Sequence, residues 1–256
     1  MLKHPRVVFH HYFAPRRHSA LLVAIITAFA VRPLVGGVGS GGIIFSLTLV
    51  LLLLIALYNI NVDELVGERG RLLVQARRRR AIGWVLAVAA ATERLALFFE
   101  HSRALNVAGA ISWLLFLGYV TLSELRSVIK QRQVTSETIS MAISVYLLLA
   151  VTWGFLYIII FQMQPGAFSS LVLPNASHTY DLQPIFPIFG YYSLGTLSTI
   201  GAGDITPVSL QARYATVAEA ITGQFYLAIL VARLVGLQMS QSATRPAKDN
   251  ASGLDT

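Results

Sequence analysis

The chain has 256 residues, 55% of them hydrophobic and 12% charged, with a formal net charge of +8 and no cysteine. A soluble domain carries about 25% charged residues, so an ordinary soluble fold is excluded. Segments of alternating polarity are also missing, which excludes an outer-membrane barrel. Disulfides and thiolate metal sites are excluded too, and the excess of base flanks apolar runs, as expected for membrane orientation and not for a nucleic-acid partner.

Residues 1–18 are polar and basic and read as a cytoplasmic N-terminus. Apolar runs near the ~20 residues that a helix needs to cross a bilayer follow at Ser19–Val35, Gly42–Asn61, Ala81–Phe99, Ala104–Leu122, Ile139–Phe161 and Arg213–Gly236. Ala28-Phe29-Ala30 resembles a signal-peptide cleavage site, but a polar lead of 18 residues is long for one, and the first run is read as a span. These runs predict an all-α membrane protein with six transmembrane helices. A four-span bundle covers 19–122, a cytoplasmic linker 123–138, a two-span module 139–236 and a cytoplasmic tail 237–256. Of the 20 Lys and Arg, 15 lie at the start, in the second-to-third and fourth-to-fifth loops or in the tail. Arg32, Arg103 and Arg213 sit at the opposite edges of spans. The positive-inside rule then places both termini in the cytoplasm, and an even span count requires the same.

Gln162–Gln183 is outside and too polar to span. Pro184–Ser198 is apolar but has only 15 residues, which suits a re-entrant helix better than a crossing one. It leads into Thr199-Ile200-Gly201-Ala202-Gly203-Asp204. Non-helical backbone at membrane depth is tolerated only inside protein or along a water-filled cavity. A re-entrant half-helix followed by Gly-x-Gly between two spans is the layout of an ion pore. A bare Gly-rich turn would explain the glycines and Pro207, but not Thr-Ile before them, Asp after them, or the half-length apolar segment upstream.

The ordered set Tyr191-Tyr192-Ser193-Leu194-Gly195-Thr196-Leu197-Ser198-Thr199-Ile200-Gly201-Ala202-Gly203-Asp204-Ile205-Thr206-Pro207 resembles the pore loop of the potassium-channel superfamily, whose usual form ends T-V-G-Y-G-D. The nearest pattern is that of bacterial six-span channels with one pore loop, akin to the two-pore-domain potassium channel family. The resemblance runs from about Ile139 to Gly236. Bacterial members share segments similar to Ala142-Ile143-Ser144-Val145-Tyr146-Leu147 and Gly223-Gln224-Phe225-Tyr226-Leu227. The resemblance implies a homotetramer in the bacterial inner membrane, each chain giving one loop. Rings of backbone carbonyls would then cage K⁺ at Thr199, Ile200, Gly201 and Ala202. Gly201 and Gly203, lacking Cβ, permit the required backbone. Thr199 adds a hydroxyl ring at the inner end, and Asp204 attracts cations or bonds back to the pore helix at the outer end. The pore helix aims its partly negative C-terminus at the cavity.

Two positions depart from the family pattern. Ala202 stands where a Tyr or Phe usually braces the filter against pore-helix aromatics, here Tyr191 and Tyr192. Gly195 stands where many members carry an acidic or bulkier side chain. Glu219, a carboxyl at membrane depth in the sixth run, needs a partner, a proton or water. It is expected to reach toward the pore helix and replace some of that bracing.

Aligning the sixth run on Pro207, Arg213 and Gly223 puts Gln224, Leu227, Val231 and Val235 on one stripe of a 3.6-residue helix. They are expected to line the pore, with the apolar rings forming a dewetting gate. Gly223 above them is either a bend or a site of close helix packing. Arg233 is expected to point away from the axis. The fourth run holds no Lys or Arg, so the bundle resembles a voltage sensor without its gating charges. Arg77, Arg78, Arg79 and Arg80 set topology, with binding of acidic lipid heads as the functional alternative. Glu93-Arg94 reads as an anchor within the bundle. The expected function is passive transport of a monovalent cation, K⁺ first, with no enzymatic activity and no cofactor beyond permeant ions. A poorly selective Na⁺/K⁺ channel, favoured by Ala202, and a non-conducting sensor or auxiliary subunit are the alternatives.

Overall fold

The structure, a computed structural model, describes residues 17–35, 55, 83–85, 88, 103–131, 133–170 and 182–244. Most of the second and third expected spans lies outside these residues. So do Arg77, Arg78, Arg79, Arg80, Glu93, Arg94 and the outer segment 171–181. The described chain is helical apart from one two-residue ribbon.

Helix α1 spans Arg17–Val35 and buries Leu21, Ala24, Ile25 and Ala28, a spacing of three and four that makes one face. Helix α2, Arg103–Lys130, buries Ala110, Trp113, Leu117, Val120, Glu124 and Val128 on a second such face. Helix α3, Ser136–Met163, is apolar on all sides because it lies between α1, α2, α4 and α5. It starts at a capping box in which the Thr138 amide donates to Thr135 Oγ1 at 3.2 Å.

Beyond α3 the chain turns at Gly166, whose φ is 95°, into strand β1, Phe168–Ser169. This pairs antiparallel with β2, Thr206–Pro207, in the register Phe168 with Pro207 and Ser169 with Thr206. The ribbon ties the C-terminal end of α3 to the stretch that follows the Gly-rich loop. Between the strands comes α4, Leu182–Leu197. Its 16 residues reach about 24 Å at 1.5 Å per residue, short of a ~30 Å hydrocarbon core. Helix α5, Leu210–Thr244, closes the order. The Ala212 amide donates to Ser209 Oγ at 3.2 Å, so Ser209 caps its N-terminus.

Among the described residues, three helical stretches are long and apolar enough to cross a membrane: Ala104–Lys130, Ser136–Met163 and Leu210–Ser240. The rest of the chain buries 56% of the α3 stretch and 44% of the α2 stretch, but only 6% of the α5 stretch. Two helices also run past the expected span ends: α2 continues from Leu122 to Lys130, and α5 from Gly236 to Thr244. Hydropathy ends where the bilayer ends, whereas a helix ends where capping or proline stops it. One glycine, at about 1 kcal/mol relative to alanine, does not.

The core is strongly aromatic. The rings of Phe168 and Phe189 lie 4.9 Å apart, Tyr157 and Tyr192 5.0 Å, and Phe155 and Phe186 5.2 Å. Phe29 of α1 reaches α4 at Gly190, where a Cβ would lie 3.1 Å from its ring. At the other end of the molecule, Arg233 of α5 donates to the carbonyls of Val128 at 2.6 Å, Gln131 at 2.7 Å and Ile129. These carbonyls lie at the end of α2, where the i+4 donors run out and Val128 also accepts from the Gln131 amide at 3.2 Å. Arg233 thus turns away from Val231, as its 200° offset requires, and its partner is a helix terminus of its own chain. Arg233→Gln, too short to reach all three carbonyls, is expected to lower the thermal midpoint of the detergent-solubilised protein by several degrees. Each kcal/mol is worth roughly 2–4 °C at this size, and an unchanged midpoint would contradict the capping role.

Candidate functional site

The loop after α4 is held by the C-terminal end of that helix. The Gly195 carbonyl accepts from the Ile200 amide at 2.8 Å and the Gly201 amide at 3.2 Å, and the Thr199 amide donates to the Thr196 carbonyl at 3.0 Å. Within Thr199–Asp204, φ is positive at Thr199 (59°), Gly201 (56°) and Gly203 (80°) and at no residue between them. Backbone that alternates in hand turns successive peptide groups toward one side. Glycine takes such φ values freely, but a β-branched Thr does so as a true outlier. Its hydroxyl donates to the Ser198 carbonyl at 2.7 Å. The opposite side of the loop is bare: Thr199, Ile200, Gly201, Ala202, Gly203 and Asp204 are all exposed, Ile200 to 74%. Ile205, buried, anchors the exit, and Asp204 accepts from its amide at 3.1 Å.

Tyr191 and Tyr192 lie on different faces of α4. Tyr191 is half exposed and directs its hydroxyl at Asp204. Tyr192 is buried among Tyr157 and Phe168, and its hydroxyl meets Thr216 Oγ1 at 2.8 Å. Thr216 donates its own proton to the Ala212 carbonyl at 2.8 Å, so Tyr192 is the donor. Of the two rings expected near Ala202, Tyr191 is thus the one on the exposed side of α4 and Tyr192 the one in the core.

Glu219 is fully buried. It accepts from Tyr157 of α3 at 2.5 Å and sits in hydrogen-bond contact with Ser193 of α4. Ser193 Oγ in turn bonds the Ala150 carbonyl of α3 at 2.7 Å. The carboxyl reaches α4, but not beside Gly195. Ser193 and Gly195 are two positions apart, about 200° round the helix, and a Cβ on Gly195 would meet nothing within 4 Å. The space at Gly195 stays open within the chain.

Gly223 lies inside uninterrupted helix and is packed against the end of α4. A Cβ there would lie 3.0 Å from Leu197 Cδ1 and 3.1 Å from its carbonyl carbon, and closer still to the carbonyl oxygen. Of the two readings of this glycine, the geometry fits close packing. Gln224, Leu227, Val231 and Val235 are exposed along α5. The sequence reading missed Tyr157 and Leu197 as neighbours of the site. A tyrosine hydroxyl within the apolar fifth run was the available signal for the first, since a buried Tyr usually finds a partner. For Leu197, whose backbone forms the contact, there was none.

Residues 145–237 match the family model described as an ion channel, a stretch that holds most of α3, all of α4, the loop and α5 to Leu237. Neither the curated proteins nor the solved structures contain a match to the chain.

Gly223→Ala is expected to push α4 away from α5 and destabilise the protein by about 1–3 kcal/mol, the usual range for overpacking. Gly236→Ala, where a Cβ meets nothing within 4 Å, is the matched control and should be neutral or better. Equal unfolding midpoints for the two variants would show that Leu197 yields freely.

Proposed function

We propose that this chain, of which residues 145–237 match the ion-channel family model, assembles as four copies into a passive pore for monovalent cations, with K⁺ the main permeant ion. An ion channel is a transport protein and not an enzyme, and no cofactor is called for. The observation that most supports the finer reading is the positive φ at every second residue from Thr199 to Gly203. Such backbone can aim successive carbonyls of Thr199, Ile200, Gly201 and Ala202 at one axis, which is what a desolvated cation requires. One loop encloses nothing, so the cage needs loops from other copies. The bare length of α5, covered over 6% of its apolar stretch, is surface that those copies would occupy. In this reading Tyr191, Tyr192 and Glu219 support the filter, and Gly195 leaves it less braced than in other members. Gln224, Leu227, Val231 and Val235 line the cavity beneath Thr199. The Lys and Arg distribution supports cytoplasmic termini in the plasma membrane, with Arg77, Arg78, Arg79 and Arg80 near acidic lipid heads.

A less selective Na⁺/K⁺ pore is the second reading. It is favoured by the methyl of Ala202 and by Tyr192, which is committed to Thr216 and Tyr157. Reconstitution in planar bilayers under opposed K⁺ and Na⁺ gradients separates the two. Reversal at the K⁺ limit is expected, reversal near zero supports the second reading, and silence favours a non-conducting sensor or auxiliary subunit.

Two substitutions refine this. Ala202→Tyr is expected to lower the Na⁺/K⁺ permeability ratio, because Tyr191 of a neighbouring copy would brace the new ring. An unchanged or higher ratio counts against bracing. Val231→Asn wets an apolar ring and should raise resting leak severalfold at matched surface expression. Equal leak in the two proteins refutes a gate at that ring.

A further inference from the structure

Three hydrogen bonds meet at one buried point: Tyr157 to Glu219 Oε2, Ser193 to Glu219 Oε1, and Ser193 to the Ala150 carbonyl. Each needs one proton. The Tyr157 and Ser193 hydroxyls supply one each. A carbonyl supplies none, and an ionised carboxylate only accepts. Two protons cannot make three bonds, so the third belongs to the carboxyl.

Its place follows by elimination. On Oε2 it would point at Tyr157, leaving the tyrosine proton unused and Ser193 still facing two acceptors with one proton. On Oε1 every bond is served: Tyr157 gives to Oε2, Oε1 gives to Ser193, and Ser193 gives to Ala150. We propose that Glu219 is a neutral carboxylic acid, a positioning residue that donates to Ser193 and completes a one-way chain of hydrogen bonds through α3, α5 and α4.

The surroundings agree. Glu219 and Ser193 have no exposed surface, and an isolated buried carboxylate would be costly without a counter-charge. The hydrogen-bond partners of Glu219 among the described residues are hydroxyls. Among the described residues, the titratable groups within electrostatic reach are tyrosines, Tyr146 and Tyr157 from α3 and Tyr192 from α4. The chain also fixes direction. Ser193 is held from two sides, by the α3 backbone and by α5, so α4 cannot rotate without breaking one bond or the other. Its consequence for conduction rests on the proposed pore, but the proton does not.

The test uses the full chain in lipid vesicles at neutral pH. The infrared spectrum of the wild type minus that of Glu219→Gln is expected to show the C=O stretch of a protonated carboxylic acid. Carboxylate bands in that difference overturn the proposal, and the reading is the same in a silent protein as in a conducting one. Gln presents an amide donor to Ser193 and an acceptor to Tyr157 in the same places. Its thermal midpoint should therefore stay with the wild type, while Glu219→Ala, which strands both hydroxyls, falls by roughly 2–4 °C or more. A Gln variant that melts as low as Ala, or fails to fold, also overturns it.

Discussion

Where α3, α4 and α5 cross, the side chains of Tyr157, Glu219 and Ser193 and the carbonyl of Ala150 form a single polar knot inside an otherwise aromatic core. In hydrocarbon each of these groups would be costly alone, so each makes the position of the other two helices a condition of its own burial. The half-length helix depends on that knot. It is shorter than the helices long enough to cross a membrane, and its short length gives it little apolar surface with which to hold its place. The aromatic rings of Phe189 and Tyr192 wedge it against α3, but rings can slide. Ser193, bonded to both neighbours, sets its rotation, and rotation decides where the loop after Leu197 begins.

The covering of the helices forms a gradient from α3, more than half of whose apolar stretch is buried, to α5, where few residues of that stretch are. A single copy therefore contains the support of the loop but not its enclosure. Everything behind the loop is intramolecular: the Gly195 carbonyl, the Leu197 contact with Gly223, and the β1–β2 ribbon that returns the chain to α3. In front of it, Thr199–Asp204 are exposed. This division is what the proposed tetramer requires, because each copy must present a finished loop before four of them can close around an axis.

Much of this was legible from residue order. Apolar runs located α1, α2, α3 and α5, and the 15-residue run before Thr199 gave α4 to within two residues at its start and one at its end. Gly201 and Gly203 marked where the backbone turns left-handed. Helix length beyond the membrane was not legible, since hydropathy is silent there and α2 and α5 continue as polar helix. The face on which Glu219 meets α4 was not legible either. Spacing along α5 says that a carboxyl is buried, but which residue of another helix answers it depends on how the two cross. Nor could spacing show that Arg233 caps α2, a contact across about a hundred positions whose acceptors are backbone atoms that any sequence would supply.

Thr199 shows why that support must be so complete. A β-branched residue at φ 59° is strained by about 1–3 kcal/mol, and such strain persists only where the surroundings leave no alternative. Here the constraint comes from both ends. Upstream, its amide is tied to Thr196, and the amides of Ile200 and Gly201 both converge on the Gly195 carbonyl, so the turn is fixed before the glycines begin. Downstream, Ile205 is buried and the ribbon pins Thr206 and Pro207 to α3. Between these anchors the glycines absorb the remaining changes of hand without strain. The one residue of that alternation that is not glycine therefore sits next to the helix that holds it most tightly. A Thr is tolerated there, where its own amide and those of the next two residues are tied to α4.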